Sequence, residues 1–597
     1  MRPAYWSRSA AFFENRDGST SMIFGLSVVP ILLLVAAGID YSRAIDQKSK
    51  LQQATDSATL AATRLLSNNP SQATLKSQAQ AFLLAAVSDP NAVITSGPTV
   101  SSNQTALCMS TATTLNTSMM RVAVGVGIAP PSSMTVSANS CTKINDQTAE
   151  VALVLDNSGS MGAATNGTTK IQSLITAASK MVDILNPVPT SPRASFSIVP
   201  FSAAVNIGSQ YQNATFMDTA GKSSIHWQNF QLPTAAGSAL PKSKFDLIAG
   251  MNTNLNPVTW GGCVEERPEP YMTTDTVADP AIPDTLFVPY FYPDIHKASY
   301  NSNTGTYSWS SSTNTYITLD STGEAGSCSN NDIYDQADAS ATHSSIPTKN
   351  TVANTVWNAT QTKVCKYLNS GKLNDVLTGN SAFGSGFSVG PNLLCDSRPI
   401  TTLTNDSAAV KTQINALYAK GDTNLVGGIM WGWRTISPNG PFNTQTTAAT
   451  AIGNRNAKPY QNTTGSTAVT NVKYMILMTD GMNHWANISS SSDPNSSAYS
   501  NLGFYGNGRL GSTNVNNYRD LMDAKTLAAC TNIKAKGIQL FTVGFSTSDS
   551  PIDDDGKALL QQCATNSNMS FIAPDGNTLI ADFESIARQM SGLRLTQ

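Results

Sequence analysis

Between Asp17 and Asp40 the chain carries no charge, and Met22–Ile39 reads MIFGLSVVPILLLVAAGI. As a helix, residues 18–39 reach about 33 Å, enough to cross a hydrocarbon core of about 30 Å. Pro30, costly in a soluble helix, is tolerated in a membrane span. Helical spacing then continues through IDYSRAIDQKSKLQQATDSATLAATRLL to Leu66. No small-residue cleavage site followed by a polar start interrupts it, so the span reads as a retained anchor rather than a removed signal. Ser71–Val87 is a second helical stretch, ended by Asp89-Pro90. From Ala92 to Asn145 Val, Thr and Ser alternate, and Met120–Ile128 and Ser133–Cys141 read as strands.

The texture changes at Glu150. EVALVLD (Glu150–Asp156) is a short continuous apolar run, the mark of a strand covered on both faces. The loop DNSGSMG follows, then an amphipathic helix with Ile171, Leu174, Ile175, Ala178, Val182 and Leu185 on one side. ASFSIVPFS (Ala194–Ser202) is the next strand. Strand, loop, helix, strand is the grammar of a parallel sheet with crossover helices. Residues 205–399 then lose helical period and fill with Ser, Thr, Asn, Pro and Tyr; they read as an inserted lobe of loops and short strands. Regularity resumes near Thr401: a helix over Asp406–Lys420 stopped by Gly421, a buried strand Val472–Asp480, a helix Tyr518–Lys536 stopped by Gly537, and a core strand Ile538–Phe545. A short strand at Phe571-Ile572 and a last helix striped by Leu579, Ile580, Phe583, Ile586, Ala587 and Met590 close the chain.

The expected organisation is therefore a cytoplasmic N-terminus (1–17), a transmembrane helix (18–39), a long helix with a small sheet (40–145), a first α/β part (150–204), an insertion (205–399) and a second α/β part (400–597). The 37 Lys and Arg against 39 Asp and Glu leave a net charge of −2, which excludes a strongly basic nucleic-acid binder. Charged residues make up 13% of the chain, about half the share of a typical soluble domain, as suits an envelope protein. Lys and Arg flank the span almost equally (Arg2, Arg8 and Arg16 before; Arg43, Lys48 and Lys50 after), so charge alone does not orient it. All eight cysteines follow the span, at 108, 141, 263, 328, 365, 395, 530 and 563, with no Cys-x-x-Cys pair. Disulfides in an oxidising compartment fit better than zinc.

Two of the buried strands end in aspartate-bearing loops, Asp156-Asn157-Ser158-Gly159-Ser160 and Asp480-Gly481. Ligands of open parallel sheets bind beyond the carboxyl ends of the strands. Oxygen donors without nitrogen or sulfur suit a hard cation. Asp-x-Ser-x-Ser after an apolar strand resembles the metal-ion-dependent adhesion site of von Willebrand factor type A domains. That family completes its site with a threonine and an aspartate from two further loops, which Thr423 in Gly421-Asp422-Thr423-Asn424 and Asp480 match. The resemblance implies a Rossmann-like, doubly wound, mainly parallel sheet. It also implies Ser158, Ser160 and Thr423 as hydroxyl ligands and Asp156 and Asp480 as carboxylates around Mg²⁺, with Ca²⁺ or Mn²⁺ as alternatives, and a protein partner that supplies an acidic side chain. A narrower resemblance runs through DGSTSMIFGLSVVPILLLVAAGIDYSRAIDQKSKLQQATDSATLAA, TWGGCVEERP, GDTNLVGGIMWGWRTISP and SGLRLTQ. These look like Flp pilus-assembly TadE/TadG-like proteins of the tight-adherence system. That likeness implies a single-pass bacterial inner-membrane protein, its C-terminal part periplasmic or surface-facing, that works with other pilus-assembly proteins. Prepilin substrates carry glutamate at the fifth position after the cleaved glycine; after Gly18 that position is Ile23, which argues against such processing.

Weaker signals have blander readings. Gly386-Phe387-Ser388-Val389-Gly390 lacks the strand and helix of a hydrolase elbow. Asp553-Asp554-Asp555-Gly556 reads as a turn into a helix rather than a calcium loop. His484 reads as a satisfied loop histidine that could line the site. Glu265-Glu266-Arg267 reads as a recognition patch or a solvated charge run. With no general base evident near the site, the expected function is metal-mediated binding, not catalysis; the alternative is a pilus-assembly scaffold in which the metal only stabilises the fold.

Overall fold

The computed structural model describes residues 17–65, 71–100, 106–120, 129, 131–143, 148–165, 167–187, 192–230, 232, 241–251, 258–301, 306–314, 316–317, 364–368, 389–443, 456–460, 471–488 and 495–593. Much of the strand expected over Met120–Ile128, Ser388 of the hydrolase-like motif and Cys328 lie outside these residues. The chain forms two compact units, residues 1–146 with 591–597, and residues 147–590.

In the first unit one helix, α1 (Asp17–Leu65), carries the apolar run and continues past it, with Pro30 inside. Phe24, Leu26 and Leu34 are 70–78% exposed, as expected of side chains meant for lipid. By length and composition, α1 is able to cross a membrane. Beyond Asp40 its surface changes: Ala44, Leu51, Ala54, Ala58 and Ala62 are buried. They pack with Leu75, Ala79 and Leu83 of α2 (Gln72–Val87) and with an antiparallel sheet of β1 (Val93–Val100), β2 (Ala106–Asn116) and β3 (Ser133–Lys143). Cys108 and Cys141 sit opposite each other on β2 and β3 and are bonded.

The second unit is a mixed α/β layer. Its main sheet has six strands, β4 (Thr148–Asp156), β5 (Ala194–Phe201), β6 (Thr401–Thr404), β7 (Asn471–Thr479), β8 (Gln539–Phe545) and β9 (Ser570–Ala573). Their order is β6-β5-β4-β7-β8-β9. All neighbours run parallel except the edge strand β6, antiparallel to β5. Because side chains alternate across a strand, β4 sends Val151, Leu153 and Leu155 to one core and Ala152 and Val154 to the other. The first core is closed by α3 (Lys170–Leu185), α4 (Ser407–Asn415) and α8 (Gly576–Leu593). The second is closed by α5 (Leu425–Ile436), α6 (Tyr518–Ala535) and α7 (Asp554–Cys563), together with described parts of 205–399 such as Phe216, Phe245, Trp260 and Phe287. Two further disulfides, Cys263–Cys395 and Cys530–Cys563, tie this unit.

Two expectations need correction. Helix α4 ends at Asn415, not Lys420. The next residues are claimed by another loop: Lys420 N–H donates to Asn157 O (2.7 Å), and Gly421 O accepts from Gly159 N–H (2.9 Å). Glu265, Glu266 and Arg267 are neither a patch nor solvated; each is at most 1% exposed. Glu265 accepts from Lys244 and Tyr499 and pairs with Arg509 at 2.7 Å, while Glu266 pairs with Arg434 at 2.8 Å. Arg267 donates to Thr274 O and Thr276 O, both at 2.6 Å. Three adjacent charges signal a surface only when their partners are unknown, and the partners of the two glutamates lie 21 or more residues away. Burial, helped by the neighbouring Arg434, pushes the Arg267 guanidinium down to about 9. Asp553 does cap a helix: its Oδ1 accepts from Gly556 N–H at 2.9 Å.

Candidate metal-binding site

β4 and β7 are neighbouring parallel strands, with Leu155 opposite Met478. Their last residues therefore emerge side by side at the carboxyl edge of the sheet, where the strands stop and polar side chains can gather. Asp156 is fully buried there. Its Oδ1 accepts from Ser158 N–H at 2.8 Å, which bends the chain back at once, and its Oδ2 accepts from Thr479 Oγ1 at 2.6 Å. The bend brings Ser158 Oγ to 3.0 Å from Ser160 Oγ. Ser160 Oγ in turn donates to Asp480 Oδ1 at 2.6 Å.

The third loop is placed by backbone. The bonds from Lys420 and Gly421 dock it on Asn157 and Gly159. Gly421 has φ +88°, a left-handed conformation that favours glycine, and a Cβ there would meet Ser202 Oγ at 3.0 Å. Asn424 then caps α5 through Gly427 N–H (3.1 Å). Thr423, between them, is 6% exposed, and its carbonyl accepts from His484 N–H at 2.9 Å. Its hydroxyl faces the Asp480 loop: a Cβ on Gly481 would lie 3.9 Å from Thr423 Oγ1. Asp156, Ser158, Ser160 and Asp480 are thus joined in one hydrogen-bonded chain, with Thr423 across from it on the Gly481 side.

The electrostatics are those of two carboxylates in one dry place. Burial, with Asp480 beside it, pushes the Asp156 carboxyl up to about 7, against the bonds from Thr479 and Ser158 that favour its ionised form. Among the described residues no three His, Cys, Asp or Glu side chains converge. Any ion here would therefore be held by two carboxylates and hydroxyls, a hard oxygen set that fits Mg²⁺, Mn²⁺ or Ca²⁺ better than zinc. Carboxylate oxygens that already accept one bond keep acceptor capacity.

Three neighbours escaped the sequence reading. Thr479 reads in the sequence as the end of an apolar run. Asn483, fully buried, accepts from Leu425 N–H (2.9 Å) and donates to Asp523 (2.7 Å), tying the Asp480 loop to α5 and α6. Lys170, the first residue of α3, is buried with its Nζ 2.9 Å from Asp480 Oδ2. A lone lysine just ahead of an apolar helix stripe was the only signal available for it. His484 stands at the rim, its side chain 56% exposed and hydrogen-bonded to Asp422, which holds the imidazole pKa above its usual value.

Residues 18–74 match the family described as putative Flp pilus-assembly TadE/G-like. No curated protein matches the chain. Among solved structures it is similar to the von Willebrand factor domain of the type V pili tip protein Mfa5 from Porphyromonas gingivalis (10% identity, TM-score 0.28), over 76% of this chain and 97% of that one. It is also similar to the pilus adhesin RrgA from Streptococcus pneumoniae (10%, TM-score 0.30; 83% of this chain, 48% of that). A third is the pilus adhesin SpaC from Lactobacillus rhamnosus GG (10%, TM-score 0.27; 84% of this chain), of which the match spans 35%.

Proposed function

We propose that this chain is a single-pass inner-membrane component of tight-adherence (Flp) pilus assembly or export, and that its second unit is a von Willebrand type A domain that binds a protein partner through a metal-ion-dependent adhesion site. Ser158, Ser160 and Thr423 act as hydroxyl ligands, and Asp156 and Asp480 as carboxylates that bind directly or through water. When bound, the ion, Mg²⁺ with Ca²⁺ or Mn²⁺ as alternatives, offers an open coordination position to an acidic side chain of the partner. This chain's residues hold the ion, orient it toward the sheet edge and exclude water from its inner side. The observation that carries this reading is the gathering of three separate loops at the ends of β4 and β7. The pilus role rests on the TadE/G-like match over 18–74. Disulfides C-terminal to the span favour a periplasmic or surface-facing second unit.

Capture of pilus-assembly proteins by the full chain in detergent tests it. Asp156→Ala should abolish capture while leaving the circular dichroism spectrum intact, and EDTA should do the same to the unaltered chain. Unchanged capture in excess EDTA would overturn the adhesive reading. Asp156 is fully buried, and the scaffold alternative is favoured if Asp156→Ala instead unfolds the domain.

A further inference from the structure

Lys170 is placed where a lysine is least expected. It is buried, it begins a helix, whose N-terminal end repels cations, and it caps a stripe of apolar side chains. Among the described residues its one carboxylate partner is Asp480, at 2.9 Å, and the Phe545 ring lies 5.7 Å from its Nζ. The ammonium takes Oδ2 of Asp480 while the Ser160 hydroxyl takes Oδ1 at 2.6 Å, so both oxygens of Asp480 are engaged before any ion arrives. Burying an ammonium costs several kcal/mol unless it is paired, and so does burying a carboxylate. Each group makes the other tolerable.

With both carboxylates ionised, the form an ion requires, Asp156 and Asp480 against one ammonium leave one negative charge in excess. A dication added to this cluster leaves one positive charge in excess. With lysine absent the same dication would leave none.

We propose that Lys170 is a tethered counter-cation of the site: it holds Asp480 in position when no divalent ion is bound, weakens the binding of that ion, and keeps the loaded cluster positive so that it takes an anionic group. The proposal rests on the reading of the five side chains as a metal site. Lys170 is a positioning residue, since its contact is with Asp480.

The test is Mn²⁺ binding to the full chain in detergent, counted by the paramagnetic resonance of free Mn²⁺, beside thermal unfolding in EDTA. Removing a cation that lies 2.9 Å from the Asp480 carboxylate should tighten Mn²⁺ binding at least about tenfold in Lys170→Met. The same variant should unfold at a lower temperature in EDTA, because Asp480 loses its partner, and should regain more of that loss with Mn²⁺ than the unaltered chain gains. If Lys170→Met does not fold alone, Lys170→Gln, which keeps a donor toward Asp480, should show the same tightening. Equal or weaker Mn²⁺ binding in the folded variant overturns the role of Lys170 and leaves the metal site standing. Absence of Mn²⁺ binding in both the unaltered chain and the variants overturns the metal site and this role together.

Discussion

At the residue scale the informative group is Asp156. A carboxyl whose folded-state pKa lies at about 7, above the ordinary 3.8, binds more protons in the native chain than in the unfolded one across that interval. Stability in EDTA should therefore fall as pH rises from about 4 to about 7, by at most about 4 kcal/mol. Mg²⁺ should flatten or reverse that slope, because the ion favours the ionised form. Urea unfolding in the presence of EDTA and of Mg²⁺ at several pH values measures both; a slope that Mg²⁺ does not change would count against a metal at Asp156. Glu265 gives a second test of a buried charge. Replacing it with Gln strands Lys244 and Arg509, and removing one partner of a buried pair costs about 3–5 kcal/mol. The midpoint of urea unfolding should drop accordingly; a loss below about 1 kcal/mol would mean that the network is open to water.

At the element scale, helix α5 shows how tightly the scaffold is closed. All twelve of its residues are buried, and its glycines let it lie flat on the sheet. A Cβ on Gly432 would come within 2.3 Å of Val154 Cγ2, and one on Gly428 within 2.6 Å of the Phe201 ring. Gly432→Ala gains about 1 kcal/mol of helix propensity, but overpacking costs about 1–3 kcal/mol, and a contact that short puts it at the upper end. Net destabilisation is the expected outcome by chemical denaturation; a stabilised variant would show that α5 has room to move away from β4. The elements also show what could be read from the chain. β4, β7 and β8 announced themselves as unbroken apolar runs because a strand covered on both faces has no polar alternation to hide it. Asp156, Ser158, Ser160, Thr423 and Asp480 were legible as spacing within three short loops. What stayed hidden depends on distant partners: the early end of α4 is set by Asn157 and Gly159, the burial of Glu265 by Lys244, Tyr499 and Arg509, and the position of Lys170 by Asp480. The short edge strand β6, four residues of mostly threonine, has too little pattern to read.

At the scale of the whole molecule, α1 joins two chemistries in one element. Its first half displays large apolar side chains outward, and beyond Asp40 the same helix becomes the core of the first unit. Asp40 marks the change: its Oδ2 accepts from Met119 N–H (2.9 Å) and Met120 N–H (2.7 Å). A chain starting at Asp40 should stay soluble without detergent, whereas the full chain should need it; size-exclusion chromatography with and without detergent decides the matter. The second unit offers its candidate site at a sheet edge tied by backbone bonds and, through Asn483, to α5 and α6. Calorimetric titration of the full chain in detergent with Mg²⁺, beside Asp156→Ala and Thr423→Ala, tests the metal site most directly. One ion should bind to the unaltered chain, none to Asp156→Ala, and one more weakly to Thr423→Ala. Equal heats from all three chains, or no heat from any, would contradict it.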